Sequence, residues 1–520
     1  MSPVLALVFY AALVHLLGLG ILRAVLGQRD DAGLAARIGF AGALGMGAVT
    51  LATYIGYLAG APAHPIFSLA LLPVAWIAAR LRGGPIPPWR PVCPAFRRRV
   101  TDVPPPQDGV ATQFHGRTPP VSRPRIRWWQ ALLGIAIAAE TVYLFLATFW
   151  RPVNRQDDWV QWAGNAKLLW YHGLPDATYF AEATHSNYPL FLHANELLYA
   201  GLLTRWDEFG CKSFLVILLL DFALALYGFL HRRYGRNLAQ IFAFLTITTP
   251  HFGRVGLDGT AEIPAALVLG FATMAFLYSR EGVRTGWITL SALLAGILCA
   301  VKSETFAPAA VLAAVTALTV WRRAGDEHRA PFRNRISIIA KPLALYAIST
   351  ALLVLPWVAL MHRGECGKTR LLVLRTDDRE RGLARMVDWM DDPESYRAVA
   401  ADVVHYLLPI DDGELRKGTF LWGPYLLAGL AFWLIRRRGD RESQHLALLL
   451  AGTAVIYAAG SLATEEAAQY RRLLTHAAGV VILFVARQAA LAYGADAGAD
   501  ATRDAERGCD EAGPAAPSHG

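Results

Sequence analysis

Apolar runs of about 17 to 25 residues, each long enough to cross roughly 30 Å of hydrocarbon, recur from Val4 to about Ala490. A chain so patterned has few options. Inside a bilayer no water satisfies the backbone, so each run is expected to form a helix that closes its own hydrogen bonds. Composition agrees: 54% of the 520 residues are hydrophobic, only 18% are charged and the mean hydropathy is +0.33, too apolar for a soluble chain of this length. The expected fold class is an all-α polytopic membrane protein with about thirteen spans. The apolar stretch from Pro3 has no basic residue before it and no small-residue cleavage site followed by a soluble domain, so it is expected to stay as the first span.

The net charge of +9 raises the question of a nucleic-acid partner. The basic residues, however, sit in short clusters between apolar runs, as the positive-inside rule requires, so they set orientation and no nucleic acid is expected. Cys93, Cys211, Cys299, Cys366 and Cys509 show no metal-type spacing, and neither a zinc site nor a disulfide framework is expected.

The runs divide the chain. Residues 1–81 form an N-terminal block with spans near Pro3 to Leu26, Ala36 to Leu58 and Ile66 to Leu81. Residues 82–127, rich in proline and in arginines such as Arg97, Arg98, Arg99, Arg123, Arg125 and Arg127, read as a disordered cytoplasmic linker. A core over 128–362 carries an outer loop at 151–206. A second outer loop covers 363–418, further membrane helices fill 419–492, and a polar tail, expected to be disordered, runs over 493–520. Core and C-terminal spans are expected near Trp128 to Trp150, Cys211 to Leu230, Leu238 to Pro250, Ile263 to Tyr278, Thr285 to Ala300, Phe306 to Trp321, Lys341 to Leu360, Phe420 to Ile435, Leu446 to Leu462 and Leu473 to Ala490. The basic clusters fall on one side only if Tyr188 to Leu203 does not cross. That stretch contains His193, Asn195 and Glu196 and reads as an interfacial or re-entrant helix.

The unusual polar residues then gather at the outer boundary. In the first loop, Asp157 and Asp158 precede a helix bearing Trp159, Trp162, Asn165, Lys167 and Trp170, followed by Tyr188. One of the two carboxylates could take a proton from an attacking hydroxyl, with the aromatics anchoring the helix at headgroup level; the plain alternative is that the pair caps that helix. The next turn holds His251, Arg254, Asp258 and Glu262, where Glu262 either suits the positive end of its helix or joins a functional group of boundary charges. Lys302, Ser303 and Glu304 interrupt two apolar runs. Lys302 could bind a lipid phosphate or simply snorkel and pair with Glu304. Gln469, Tyr470, Arg471, Arg472 and His476 open the last span. Arginines on this face run against the positive-inside rule and suit a bound phosphate, unless the topology is wrong by one span.

At these residues the chain resembles the GT-C glycosyltransferases, the superfamily of protein O-mannosyltransferases and aminoarabinose transferases. Asp157 with Trp162, Asn165, Ala166 and Lys167 resembles the family's first-loop acidic motif, and Tyr188-Pro189-Leu190 the segment after it. Thr260 to Pro264 resembles the second acidic motif, with Glu262 where aspartate is commoner. Lys302-Ser303-Glu304 resembles a Lys-Asn-Glu-Gly turn, with Ser303 and Thr305 in place of asparagine and glycine. Arg471-Arg472-Leu473-Leu474 resembles a late arginine motif. The likeness spans roughly Trp128 to Ala490, and the order of the segments carries it.

The resemblance implies a GT-C helix bundle with interfacial helices in the first outer loop. It also implies an inverting transfer of a sugar from a polyprenyl-phosphate-linked donor to a glycan, lipid or protein acceptor. Asp157 would be the general base, with Asp158 as fallback, and Lys302, Arg471 and Arg472 would stabilise the departing phosphate. Trp162, Lys167, Tyr188, Glu262 and Glu304 would complete the substrate site. Some relatives use a divalent ion, Mg or Mn, which Asp157, Asp158 and Glu262 could bind. The alanine- and arginine-rich composition suggests a bacterial inner (plasma) membrane. The competing reading is a lipid-linked saccharide or polysaccharide transporter, which predicts ionisable residues deep within spans, Glu140 and Asp221 being the candidates.

Overall fold

The computed structural model describes residues 1–27, 32–83, 127–153, 158–184, 186, 188–249, 252, 259–280, 285–328, 332–364, 422–436, 440–463 and 475–493. Those residues contain no strand; they form helices joined by short turns. In chain order the helices are α1 (Pro3–Leu26), α2 (Leu34–Leu58), α3 (Pro65–Gly83) and α4 (Trp128–Trp150), followed by a π-turn, Asp158–Trp162. The outer-loop helices are α5 (Ala163–His172), α6 (Ala177–Glu182) and α7 (Phe191–Leu203). Then come α8 (Ser213–Tyr234), α9 (Arg236–Thr248), α10 (Glu262–Ser279), α11 (Thr285–Val301), α12 (Phe306–His328), α13 (Phe332–Arg363), α14 (Trp422–Arg436), α15 (Arg441–Ala463) and α16 (Ala478–Ala492).

Every one of the thirteen apolar runs thus falls on a helix. Among the described residues nine helices are long and apolar enough to cross a membrane: α1 to α4, α8, α10, α12, α13 and α16. The chain is a multi-pass α-helical membrane protein. Helices α9, α11 and α14 are shorter, at 13, 17 and 15 residues. Side chains such as Val8, Ile135, Leu146, Ile348 and Leu355 are exposed on the outside of the bundle, an arrangement that hydrocarbon tolerates and water does not.

The N-terminal block is packed into the bundle. Helix α2 is 83% buried over its most apolar window and touches α1, α7, α8 and α13. Small residues allow this. A Cβ built on Gly39 would sit 2.1 Å from the Asp221 carbonyl oxygen of α8, and one built on Gly45 would sit 1.9 Å from the Val14 carbonyl oxygen of α1. Helices without side-chain bulk at the contact approach to backbone distance, the usual way membrane helices gain packing energy where no hydrophobic force drives them together.

Helix α7 has 13 residues, about 20 Å of rise, too short to span. The re-entrant alternative fits it better than the interfacial one: residues 191–200 are all buried, whereas a helix lying in the membrane surface keeps one face wet. Asn195 ties it to the N-terminal block. Tyr10 on α1 donates its O–H to Asn195 Oδ1 at 2.7 Å, and Asn195 Nδ2 returns to the Phe191 carbonyl at 2.7 Å.

Candidate functional site at one end of the bundle

Antiparallel hairpins bring distant polar residues level with one another. Helices α10 and α11 have 18 and 17 residues, about 26 Å each. Glu262 at the start of α10 therefore lies at the same boundary as Lys302, which ends α11. Lys302 adopts an extended backbone, φ −158 and ψ 148, which stops the helix, and a 3-10 turn over Ser303–Thr305 starts α12. The Thr305 hydroxyl reaches the carbonyl oxygens of Leu298 and Lys302, capping the open end of α11.

At this turn Lys302 is 5% exposed. Its Nζ lies 3.2 Å from Glu262 Oε1 and 3.5 Å from Glu304 Oε1. Ser303 Oγ donates to Glu304 Oε2 at 3.1 Å, and the Tyr188 O–H donates to Glu304 Oε1 at 3.1 Å. The ammonium also stands 5.7 Å from the centre of the Tyr188 ring, within cation–π range. Trp162 stacks on Tyr188: the two ring centres are 5.3 Å apart with 15° between the planes. Burial pushes the Tyr188 phenol well above its ordinary range, with Lys302 opposing, so it stays a proton donor. The Thr475–Ala477 turn leading into α16 packs on α10, and His476, bonded through Nδ1 to the Tyr457 hydroxyl at 2.8 Å, is within electrostatic reach of Glu304.

The structure thus unites Trp162, Tyr188, Glu262, Lys302 and Glu304. Lys167, on α5, is engaged by Glu208. Asp158 opens the π-turn that ends at Trp162. Asp157, Arg471 and Arg472 lie outside the described residues, as do His251, Arg254, Asp258, Gln469 and Tyr470 and the greater parts of the linker, the second outer loop and the tail.

One feature of this cluster differs from a simple phosphate pocket. Lys302 is not presented alone: two carboxylates hold it, so the described group of Glu262, Lys302 and Glu304 carries a net charge of −1 when all are ionised. Among the described residues no group of three or more His, Cys, Asp or Glu could hold a metal ion; Asp157, which with Asp158 and Glu262 is the expected ligand set, lies outside them.

The sequence pattern points to these residues except for His193 on α7, which it marks only as a polar interruption. His193 is 1% exposed, 5.8 Å from Trp162 by ring centres, with Nε2 3.4 Å from the Gln161 carbonyl. Its Nδ1 has no hydrogen-bond partner among the described residues. Burial lowers its pKa from 6.5 to about 4, the Gln161 carbonyl opposing. The depressed value fixes the sign of a pH effect. Between about pH 6.5 and 4 the unfolded chain binds a proton that the folded chain excludes, so stability falls as pH falls through that window, by on the order of 3 kcal/mol in all. Thermal unfolding in detergent is expected to show this slope for wild type and to lose it in His193→Gln. An unchanged slope in the variant would place the titration elsewhere.

Comparison with family models, with curated proteins and with solved structures finds no match to the chain.

Proposed function

We propose that the chain is a membrane glycosyltransferase of GT-C type, with all thirteen apolar helices crossing the membrane, that moves a sugar from a polyprenyl-phosphate carrier to an acceptor hydroxyl at the outer boundary. The observation that supports the reading is the convergence of Trp162, Tyr188, Glu262, Lys302 and Glu304. These residues come from three separate parts of the chain and form a buried, charged and aromatic cluster at one end of the bundle. Those are positions at which the chain resembles the family.

In this reading Asp157, which immediately precedes the Asp158–Trp162 turn, takes the proton of the attacking hydroxyl as it displaces the lipid phosphate in one inverting step. Asp158 is the fallback base. Arg471 and Arg472, three to four residues before the Thr475–Ala477 turn, meet the developing phosphate charge, since guanidinium matches phosphate geometry. Lys302 contributes positive charge to the same region while Glu262 and Glu304 hold it in place. Trp162 and Tyr188 offer a stacked aromatic wall for a sugar or prenyl face.

Asp157→Asn tests this. The variant is expected to insert and fold as wild type and to lower transfer by about 10²–10⁴-fold, seen by mass spectrometry as loss of the added sugar from extracted cell-surface glycans. An unchanged glycan profile, beside a changed one in the null strain, would remove the proposal.

One observation favours a transporter instead. Within the spans, His15 Nε2 on α1 lies 2.9 Å from Asp221 Oδ1 on α8, and buried intramembrane ion pairs often mark transport paths. If that reading held, Asp221→Asn would abolish function while Asp157→Asn would not. The transferase reading reverses the order.

A further inference from the structure

Two of the described carboxyls stand near the middle of apolar helices that cross the membrane. Asp221 on α8 is paired with His15 at 2.9 Å. Glu140 on α4 makes no hydrogen bond or ion pair with any described residue. It is the thirteenth of the 23 residues of α4, so about 18 Å of helix lies before it and about 15 Å after it. Neither end of the span is within reach of the side chain, and α4 carries no basic residue between Arg127 and Arg151 to answer it. A carboxyl at this depth is costly in hydrocarbon and ordinarily meets a partner.

The surface around Glu140 is that of a helix contact left open. Helix α4 is buried over only 17% of its most apolar window and packs chiefly on α9 and α8. Leu144 and Ala147, four and seven residues beyond Glu140, are buried. Glu140 itself is half-buried, which puts it on the rim of the packed face. Beside it on the rim, by helical spacing, are Ala136, half-buried, and Ala139 and Tyr143, both exposed. Two alanines next to the carboxyl let another helix approach closely. On α8, between Ser213 and Leu230, the residues not buried are Leu220, Leu224 and Tyr227, a single row at helical spacing. Helices α4 and α8, which touch, thus each leave a row of side chains open to the bilayer.

We propose that this face of α4 is the docking site for a membrane-spanning helix of another protein, one that carries a lysine or arginine near the middle of its span. Charge complementarity decides the occupant. An ammonium or guanidinium at the same depth supplies the counter-charge and the hydrogen bonds that Glu140 lacks. A second copy of this chain does not. The bilayer holds copies parallel, so a two-fold axis along the membrane normal would bring Glu140 to Glu140, like charges at one depth. Nor, among the described residues, does any lysine or arginine stand at mid-span. Trp128 and Trp150, at the two ends of α4, are 76% and 77% exposed; both suit the headgroup level, which fixes the carboxyl midway between. Glu140 is not part of the Lys302 cluster, and the proposal does not rest on the sugar-transfer reading.

The full-length protein with Tyr143 replaced by photo-reactive benzoylphenylalanine, irradiated in its native membrane, tests the proposal. Peptide mass spectrometry of the adducts is expected to find a foreign membrane helix with a lysine or arginine at mid-span. Glu140→Leu should lower the adduct yield by about three- to tenfold, and Glu140→Asp should keep most of it. Reversing both charges, Glu140→Lys with the partner's basic residue changed to glutamate, should restore it. The purified variants are expected to unfold at the wild-type temperature, since Glu140 makes no internal bond; if Glu140→Leu does not fold, Glu140→Gln, which removes only the charge, carries the comparison. Adducts with lipid alone, with a second copy of this chain, or with a helix lacking a central basic residue would each overturn the proposal, as would a yield unchanged by the substitution at Glu140.

Discussion

Replacing Lys302 by methionine is expected to destabilise the folded protein by about 3–5 kcal/mol, and adding Glu262→Gln and Glu304→Gln is expected to recover most of that loss. The reason is the asymmetry of buried ion pairs. Removing one partner leaves the other charge without compensation, whereas replacing the whole group by neutral side chains does not. Lys302 and Glu262 each have side chains only 7% exposed, and Glu304 19%, so loss of the ammonium strands two carboxylates 3.2 and 3.5 Å from where it stood. Thermal unfolding in one detergent gives the stability of the single and triple variants. Under the proposed chemistry the triple variant, though restored in stability, should remain inactive in glycan transfer, because the residues that shape the site are gone. A neutral Lys302→Met, or a triple variant no more stable than the single one, would show that charge does not hold this cluster together.

How far this arrangement could be read in advance differs from residue to residue. Hydropathy located all thirteen helices because the bilayer leaves an apolar run of that length almost no other structure. The polar interruption at Lys302 marked a boundary for the same reason. Its local pairing with Glu304 was legible as a neighbour effect. Its bond to Glu262, forty positions away, depends on α10 and α11 being nearly equal in length and antiparallel, which no local pattern states. Lys167 shows the reverse: motif order places it with the site, but Glu208, in the loop before α8, engages it. His15 was invisible as a partner, since a lone histidine in an apolar helix says nothing of what stands opposite. Least legible was the place of the N-terminal block. The proline- and arginine-rich linker says nothing of where the block sits against the core, and the glycines of α2 make its run less apolar than that of α1. Those same glycines let it pack closely.

That packing leads to the second large effect. Gly39→Leu is expected to prevent native association of α2 with α8, and even Gly39→Ala is expected to cost about 1–3 kcal/mol or more. The alanine Cβ would lie 2.1 Å from the Asp221 carbonyl oxygen, 2.7 Å from the Ala225 nitrogen and 2.8 Å from its Cβ. Two of these are backbone atoms, which cannot rotate aside, so the helices must separate. Gly33→Ala is the control: no atom lies within 4 Å of a Cβ there, and its effect should stay within about 0.5 kcal/mol. Unfolding followed by size-exclusion chromatography in mild detergent distinguishes the three; a Gly39→Leu protein as stable as wild type would mean that α2 does not sit against α8. The consequence reaches the candidate site. Separation of α2 from α8 moves Asp221, whose Oδ2 packs on Gly42, away from His15. It also disturbs Tyr54, near the other end of α2, whose hydroxyl accepts the Leu190 N–H at 2.9 Å, two residues from Tyr188. The N-terminal block therefore orients the segment that carries Tyr188 onto Glu304, and a chain lacking residues 1–83 should lose that orientation even with every proposed catalytic residue intact.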